Sequence, residues 1–146
     1  MSENIDDHLA HIPHAAAIGM TLVSRNASGC VVRVAYAEHL VGDPDTGVIH
    51  GGVITALLDN ASGMAVRSDP DGADIGEERS MATLDLRIDY MRPAQPRQDL
   101  YCDAHCYRMT SNVAFVRAIA YHDDRNDPIA SSVATFMLGT KAAPRQ

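Results

Sequence analysis

Asp59 stands in the middle of a run, Gly51 to Val66, in which almost every other residue is apolar or small. Aspartate is a poor helix former, and a carboxylate among Leu57, Leu58 and Ala61 loses solvation unless something partners it. Held part-way out of water, such a group can take a proton from a water molecule or attack an electrophilic carbon itself. The run opens with His50-Gly51-Gly52. The first N–H groups of a helix lack intrahelical partners and lie at its positive end, and two glycines bring no side chain to cover them. Donors of this kind suit an oxyanion. His50, just outside the run, reads as a residue that fixes the preceding loop through a ring hydrogen bond, with a direct part in catalysis as the alternative.

The elements that must position these groups follow from periodicity. At 3.6 residues per turn, Val53, Leu57, Asn60 and Met64 share one side of a helix, Leu58, Ala61 and Ala65 extend it, and Thr55, Asp59, Ser62 and Gly63 gather on another. A helix apolar over most of its circumference is a buried one. Before it, His8 to Met20 reads as a short amphipathic helix interrupted at Pro13. Thr21 to Arg25 and Cys30 to Ala37 read as strands paired across Asn26 to Gly29. Glu38 to His50, with Gly42, Pro44 and Gly47, reads as a loop, and so does Arg67 to Arg79. Four strands follow, over Thr83 to Met91, Asp99 to Arg108, Val113 to His122 and Ile129 to Leu138, and their spacing suggests an antiparallel meander. The simplest packing is α+β, an antiparallel sheet wrapped around the one long helix.

Composition narrows the class. A chain of 146 residues is long enough for one sizeable core, and nothing divides it, so a single domain over 1–146 with its core over about 15–139 is expected. Aromatic residues are 5 % of the chain and Trp is absent, so that core is aliphatic. The formal charge of −7 argues against nucleic acid, whose binding needs a basic footprint. Residues 1–78 carry three basic and twelve acidic side chains, whereas 79–117 carry six Arg against four Asp, enough to meet a small polyanion. No apolar stretch approaches the ~20 residues of a membrane span, and the acidic start is unlike a signal peptide, so a cytoplasmic protein that does not enter membranes is expected. Cys30, Cys102 and Cys106 are odd in number and fall in strand-like runs, as packed, reduced thiols do. His8, His11 and His14 lack the carboxylate or Cys frame of a metal site, and no metal is expected.

Two pieces of the chain together carry a resemblance. His50-Gly51-Gly52, with Asp59 eight residues after Gly51, and Asp89-Tyr90-Met91-Arg92-Pro93-Ala94 about thirty residues further on, resemble the hotdog thioesterases of the phenylacetate-degradation type, which include small acyl-CoA thioesterases. The order of elements matches from about residue 15 to 139. The resemblance implies a hotdog fold and hydrolysis of an acyl-coenzyme A at a site between two subunits of a homodimer or a dimer of dimers. It implies that the Gly51 N–H polarises the thioester carbonyl, that Asp59 is general base or nucleophile, and that Thr83 supports it. Strand alternation by itself places Thr83 opposite Leu84 and Leu86, and only a bulge or its place at the strand start turns it toward the helix. Many members carry Asn six residues before the His, where this chain has Pro44, so Asp43 or Asp45 compensates or the activity is weaker.

Coenzyme A enters only as part of the substrate, and no separate cofactor is expected. Its phosphates point to Arg108 with Ser111 and Asn112, then to Arg92 and Arg97. Gly52 and Asn60 flank the two central groups and are further candidates for substrate contact. Two rivals remain: a hydratase or dehydratase of enoyl or 3-hydroxyacyl thioesters built on Asp45 and His50, and a non-catalytic acyl-CoA-binding module.

Overall fold

The computed structural model describes residues 9–67 and 80–139. Its elements are α1 (Pro13–Ile18), β1 (Met20–Asn26), β2 (Gly29–Val34), β3 (Val41–Asp43), β4 (Val48–Ile49), α2 (Gly51–Val66), β5 (Met81–Tyr90), β6 (Leu100–Met109), β7 (Val113–Tyr121) and β8 (Ala130–Leu138). A helical turn at 9–11 precedes α1, and Pro13 separates them by occupying the first turn of α1, where its missing N–H does no harm. His8 and nearly all of the loop expected over Arg67 to Arg79 lie outside the described residues.

Six strands form one antiparallel sheet in the order β1-β2-β6-β7-β8-β5, with α2 lying across it, the architecture expected from the resemblance. The face turned to α2 is unusually small in side chain: Ala104, Ala114, Ala118, Ala120 and Ala134 are all buried there beside Val32, Cys102 and Val116. Small residues on the strands leave room for Leu57, Leu58 and Met64 of the helix to seat against the sheet, which is how an aromatic-poor chain fills its core.

The expected meander is only partly correct. β6, β7 and β8 follow one another, but β5 pairs with β8 at the far edge and β6 pairs with β2. The Pro-containing segment between Met91 and Asp99 carries the chain from one side of the sheet to the other. His122 fastens that segment, its Nε2 accepting the Gln95 N–H at 2.8 Å while Nδ1 lies 2.9 Å from the Asp99 carbonyl oxygen. The expected loop over Glu38 to His50 also differs, because β3 and β4 pair within it as a small ladder of their own. Cys30, Cys102 and Cys106 are buried thiols not joined in disulfides, and burial pushes the Cys30 thiol up to about 12. A thiol so protonated at neutral pH is no nucleophile.

Candidate active site

The small β3–β4 ladder delivers the chain to the start of α2. The His50 N–H donates to the Leu40 carbonyl at 2.8 Å, and His50 stays outside the helix at φ −57°, ψ 134°. Its Nδ1 accepts the Gly52 N–H at 2.8 Å, so the neutral ring carries its proton on Nε2. Glycine is required on both sides of that ring. A Cβ on Gly52 would lie 2.8 Å from Nδ1, and one on Gly42 would lie 2.7 Å from the His50 Cα. The cap also uses the Gly52 N–H, so Gly52 does not offer it to a ligand. The Gly51 N–H meets no acceptor among the described residues. Nothing inside the chain demands glycine at 51 either, since a Cβ there would come no closer than 4.0 Å to Tyr90.

Tyr90, not singled out as a site residue by the sequence, closes the other side of the helix start. Its hydroxyl donates to the Gly51 carbonyl at 3.1 Å and lies 2.6 Å from Thr55 Oγ1. The peptide joining Gly51 to Gly52 is thereby held at both ends, its C=O by Tyr90 and its N–H by His50. Alternation along β5 shows that Tyr90 shares a face with Leu86 and Ile88, but not that this face ends over a helix start.

Asp59 lies two turns further on, half-buried, on the stripe of α2 that the sheet leaves open. Thr83 Oγ1 donates to Asp59 Oδ1 at 2.9 Å. This contact exists because β5 is irregular between Thr83 and Asp85. The bulge shifts the alternation by one residue, leaving Leu84 half exposed at 51 % while Leu86 turns inward. Asp59 Oδ2 has no partner among the described residues, and Asp59 lines a cleft of roughly 320 Å³ together with Asn60, Gly63, Met81 and Thr83. The helical wheel is corrected at two positions. Asn60 is half-buried beside Asp59, its Nδ2 turned back onto the Ala56 carbonyl at 2.8 Å, while Ser62 is wholly buried. The open stripe closes toward the C-terminal end of the helix, so depth along α2 and not angle alone decides exposure there.

The outlying candidates are not gathered with these groups. Arg92 is committed to the β7–β8 connection, donating to the Asp127 carbonyl at 2.9 Å. Arg108 is exposed beside a second, smaller hollow at the C-terminal end of α2, formed with Ser28, Ala65 and Tyr107. Ser111 and Asn112 sit in the β6–β7 turn, where the Asn112 carbonyl accepts the Leu138 N–H. Pro44 and Asp45 occupy the β3–β4 turn, in which Asp43 Oδ1 accepts the Asp45 N–H at 3.0 Å. Asp43 is thus engaged in its own turn, and no contact joins Asp45 to His50 among the described residues. No three His, Cys, Asp or Glu side chains gather as metal ligands among the described residues. No helix there is long and apolar enough to cross a membrane.

A six-stranded antiparallel sheet carries one long helix with a carboxylate in its middle and, among the described residues, an unpaired N–H at its start. Residues 46–129 match the Thioesterase superfamily, and the chain belongs to that family as a thioester hydrolase. It is 29 % identical over 137 residues to the medium/long-chain acyl-CoA thioesterase YigI of Escherichia coli K12, covering 88 % of this chain and 87 % of that one. It is 33 % identical over 93 residues to human acyl-coenzyme A thioesterase 13, covering 64 % of this chain and 62 % of the relative. A crystal structure of a Pseudomonas aeruginosa protein superposes with a TM-score of 0.77 at 41 % identity, over 90 % of this chain and 94 % of that one. The phenylacetic acid degradation protein PaaI of Thermus thermophilus, at 22 % identity and a TM-score of 0.70, shares the fold, covering 86 % of this chain and 97 % of that one.

Proposed function

We propose that the chain hydrolyses acyl-coenzyme A thioesters to a free carboxylic acid and coenzyme A, with Asp59 as the base or nucleophile and the Gly51 N–H as the carbonyl-polarising donor. The observation that carries this reading is the 2.9 Å hydrogen bond from Thr83 to Asp59 at the edge of a cleft. It orients a mid-helix carboxylate and leaves its second oxygen available to a substrate. The names of the Escherichia coli and human relatives support coenzyme A esters as the substrate, and the former supports medium or longer acyl chains.

In the general-base form of the reaction, Asp59 takes a proton from water as the oxygen adds to the thioester carbon. Negative charge collects on the carbonyl oxygen, where the Gly51 N–H and the positive end of α2 meet it. Collapse breaks the carbon–sulfur bond, and the departing thiolate recovers the proton from Asp59. Gly51 and Asp59 are about 12 Å apart along one helix axis, too far to serve one carbonyl together. The active unit is therefore a two-fold dimer, in which Gly51 of one chain lies against the partner subunit's Asp59. Asp59→Asn keeps the shape of the side chain but not its basicity. Turnover of an acyl-CoA should fall about 10²- to 10⁴-fold with folding intact, and a variant with near-normal kcat would remove Asp59 from the chemistry. Wild-type protein that binds acyl-CoA without turning it over would mark a binding module instead.

A further inference from the structure

Gly51 and Gly52 are exposed, and Val53 and Ile54 behind them are the first buried residues of α2. With no side chain on either glycine, packing cannot place the helix start, and glycine is the residue with the most backbone freedom to lose. Hydrogen bonds must place it instead. The His50 ring holds the Gly52 N–H, and two hydroxyls hold the Gly51 carbonyl. One of them is the helix's own, Thr55 Oγ1 donating at 3.2 Å. The other is that of Tyr90, 3.1 Å from the same carbonyl oxygen and 2.6 Å from Thr55 Oγ1. Three oxygens close a triangle, and Tyr90 is its one corner outside α2. At 52 % exposed, the Tyr90 side chain adds little to the core, so this contact is its main tie to the helix. The strand that supplies Tyr90 also supplies Thr83. An odd number of steps separates them, so in a regular strand they would face opposite sides of the sheet. The bulge between Thr83 and Asp85 removes that difference: Thr83 pairs with Phe136 and Tyr90 with Ala130, both buried on the α2 side of β8. β5 thereby holds Asp59 near its start and the first turn of α2 at its end.

We infer that Tyr90 is a positioning residue of the reaction: with Thr55, it holds the first turn of α2 so that the Gly51 N–H stays aimed at the developing oxyanion. The inference rests on Gly51 being the carbonyl-polarising donor. A donor stabilises a transition state in full only when it is already in place as charge forms, because turning it then costs much of what the contact returns. The peptide before Gly51 is held by the Val53 N–H, which donates to the His50 carbonyl at 2.9 Å. The peptide after it is held by Tyr90, Thr55 and His50. Each peptide is a rigid plane, and only φ and ψ of Gly51 join the two. Slack in the second plane therefore passes to the first, which carries the donor. The Tyr90 hydroxyl acts on the reaction through Gly51, without touching the substrate.

The test uses Tyr90→Phe and Thr55→Val, which keep size and drop a hydroxyl, and Thr55→Ser, which keeps one. On an acyl-CoA, Tyr90→Phe lowers kcat about 3- to 10-fold, as the loss of one ordinary hydrogen bond does, and leaves KM within about twofold. Thr55→Val follows it and decides the kinetic arm if Tyr90→Phe does not fold, while Thr55→Ser stays close to the wild type. The second readout is the infrared C=O stretch of an isotope-labelled acyl-CoA bound to Asp59→Asn protein, in which the ester persists. With Tyr90 in place the band lies below its position in buffer. With Tyr90→Phe added it moves back toward that position and broadens, a change that a purely structural hydrogen bond would not produce. An unchanged kcat, a loss confined to KM, or an unmoved band overturns the part given to Tyr90 and leaves the hydrolase intact. A bound ester whose band is not lowered even with Tyr90 in place overturns Gly51 as the donor, and this inference with it. Absence of turnover by wild-type protein overturns the hydrolase reading itself.

Discussion

Thr83 reaches Asp59 with a single hydroxyl, and the strength of that bond decides how firmly the carboxylate is aimed. A hydrogen bond to a charged group contributes about 1.5–3 kcal/mol, although solvent at this half-open site draws the figure to the lower end. Thr83→Val removes the donor and keeps the branched shape, so kcat should fall roughly 10- to 30-fold with a smaller change in KM. Thr83→Ser, which restores a hydroxyl, should recover most of it. Steady-state kinetics of the three proteins on one acyl-CoA checks this, and an unchanged kcat in Thr83→Val would reduce Thr83 to a neighbour of the site. His50 plays a different part. Its Nδ1 is occupied by the Gly52 N–H, so the ring holds the helix start and does not receive a substrate proton through that nitrogen.

The elements are held in register by contacts of quite different kinds, and one of them responds to pH. Asp99, just before β6, accepts the Tyr36 N–H at 2.9 Å and pairs with Arg33 of β2 at 2.6 Å. Those two partners, the backbone N–H first, hold its carboxyl below the usual carboxylate range. A carboxyl whose pKa is lower folded than unfolded stabilises the fold above its unfolded value near 3.9, and that contribution is lost as the pH falls through the folded value. Asp99→Asn should accordingly lower Tm by roughly 2–4 °C at pH 7, with the gap closing as the pH falls through the lowered folded value. Thermal unfolding of both proteins across pH 2–7 checks it, and a gap that persisted at pH 2 would point to shape rather than charge. The elements themselves were largely legible in the sequence. α2 runs over the predicted Gly51–Val66, and the six long strands fall within a few residues of their expected bounds, because alternation and helical period are local properties. The strand order was not, because the segment around Pro93 and Pro96 shows only that β5 ends and not where β6 begins in space. The bulge after Thr83 was not either, since Leu84 and Leu86 both look like core residues until one of them is turned out. Asp59 and the glycines stood out by being wrong for an apolar helix. Tyr90, Met81 and Phe136 did not, because an apolar residue on a strand looks the same whether it lines a cleft or a core.

At the scale of the whole molecule, the sheet covers one side of α2 and leaves a stripe of Gly51, Gly52, Thr55, Ala56, Asp59 and Asn60 open or half-open. That stripe holds both of the proposed reacting groups, at a separation that one helix cannot close. A two-fold pairing of stripes answers both facts, and it can be tested without knowing the natural acyl chain. Gly51→Pro suits one arm of the test. Proline is tolerated at the first helical position, it removes only the N–H, His50 at ψ 134° has the backbone that a residue before proline adopts, and the space at Gly51 is clear to 4.0 Å. Asp59→Asn is the other arm. Each variant alone should be nearly inactive. Mixed in equal amounts and allowed to exchange subunits, half of the dimers pair unlike chains and carry one intact site of two, so activity should return to about a quarter of the wild-type level. Activity that stays at the sum of the two inactive proteins, with exchange demonstrated, would contradict the shared site.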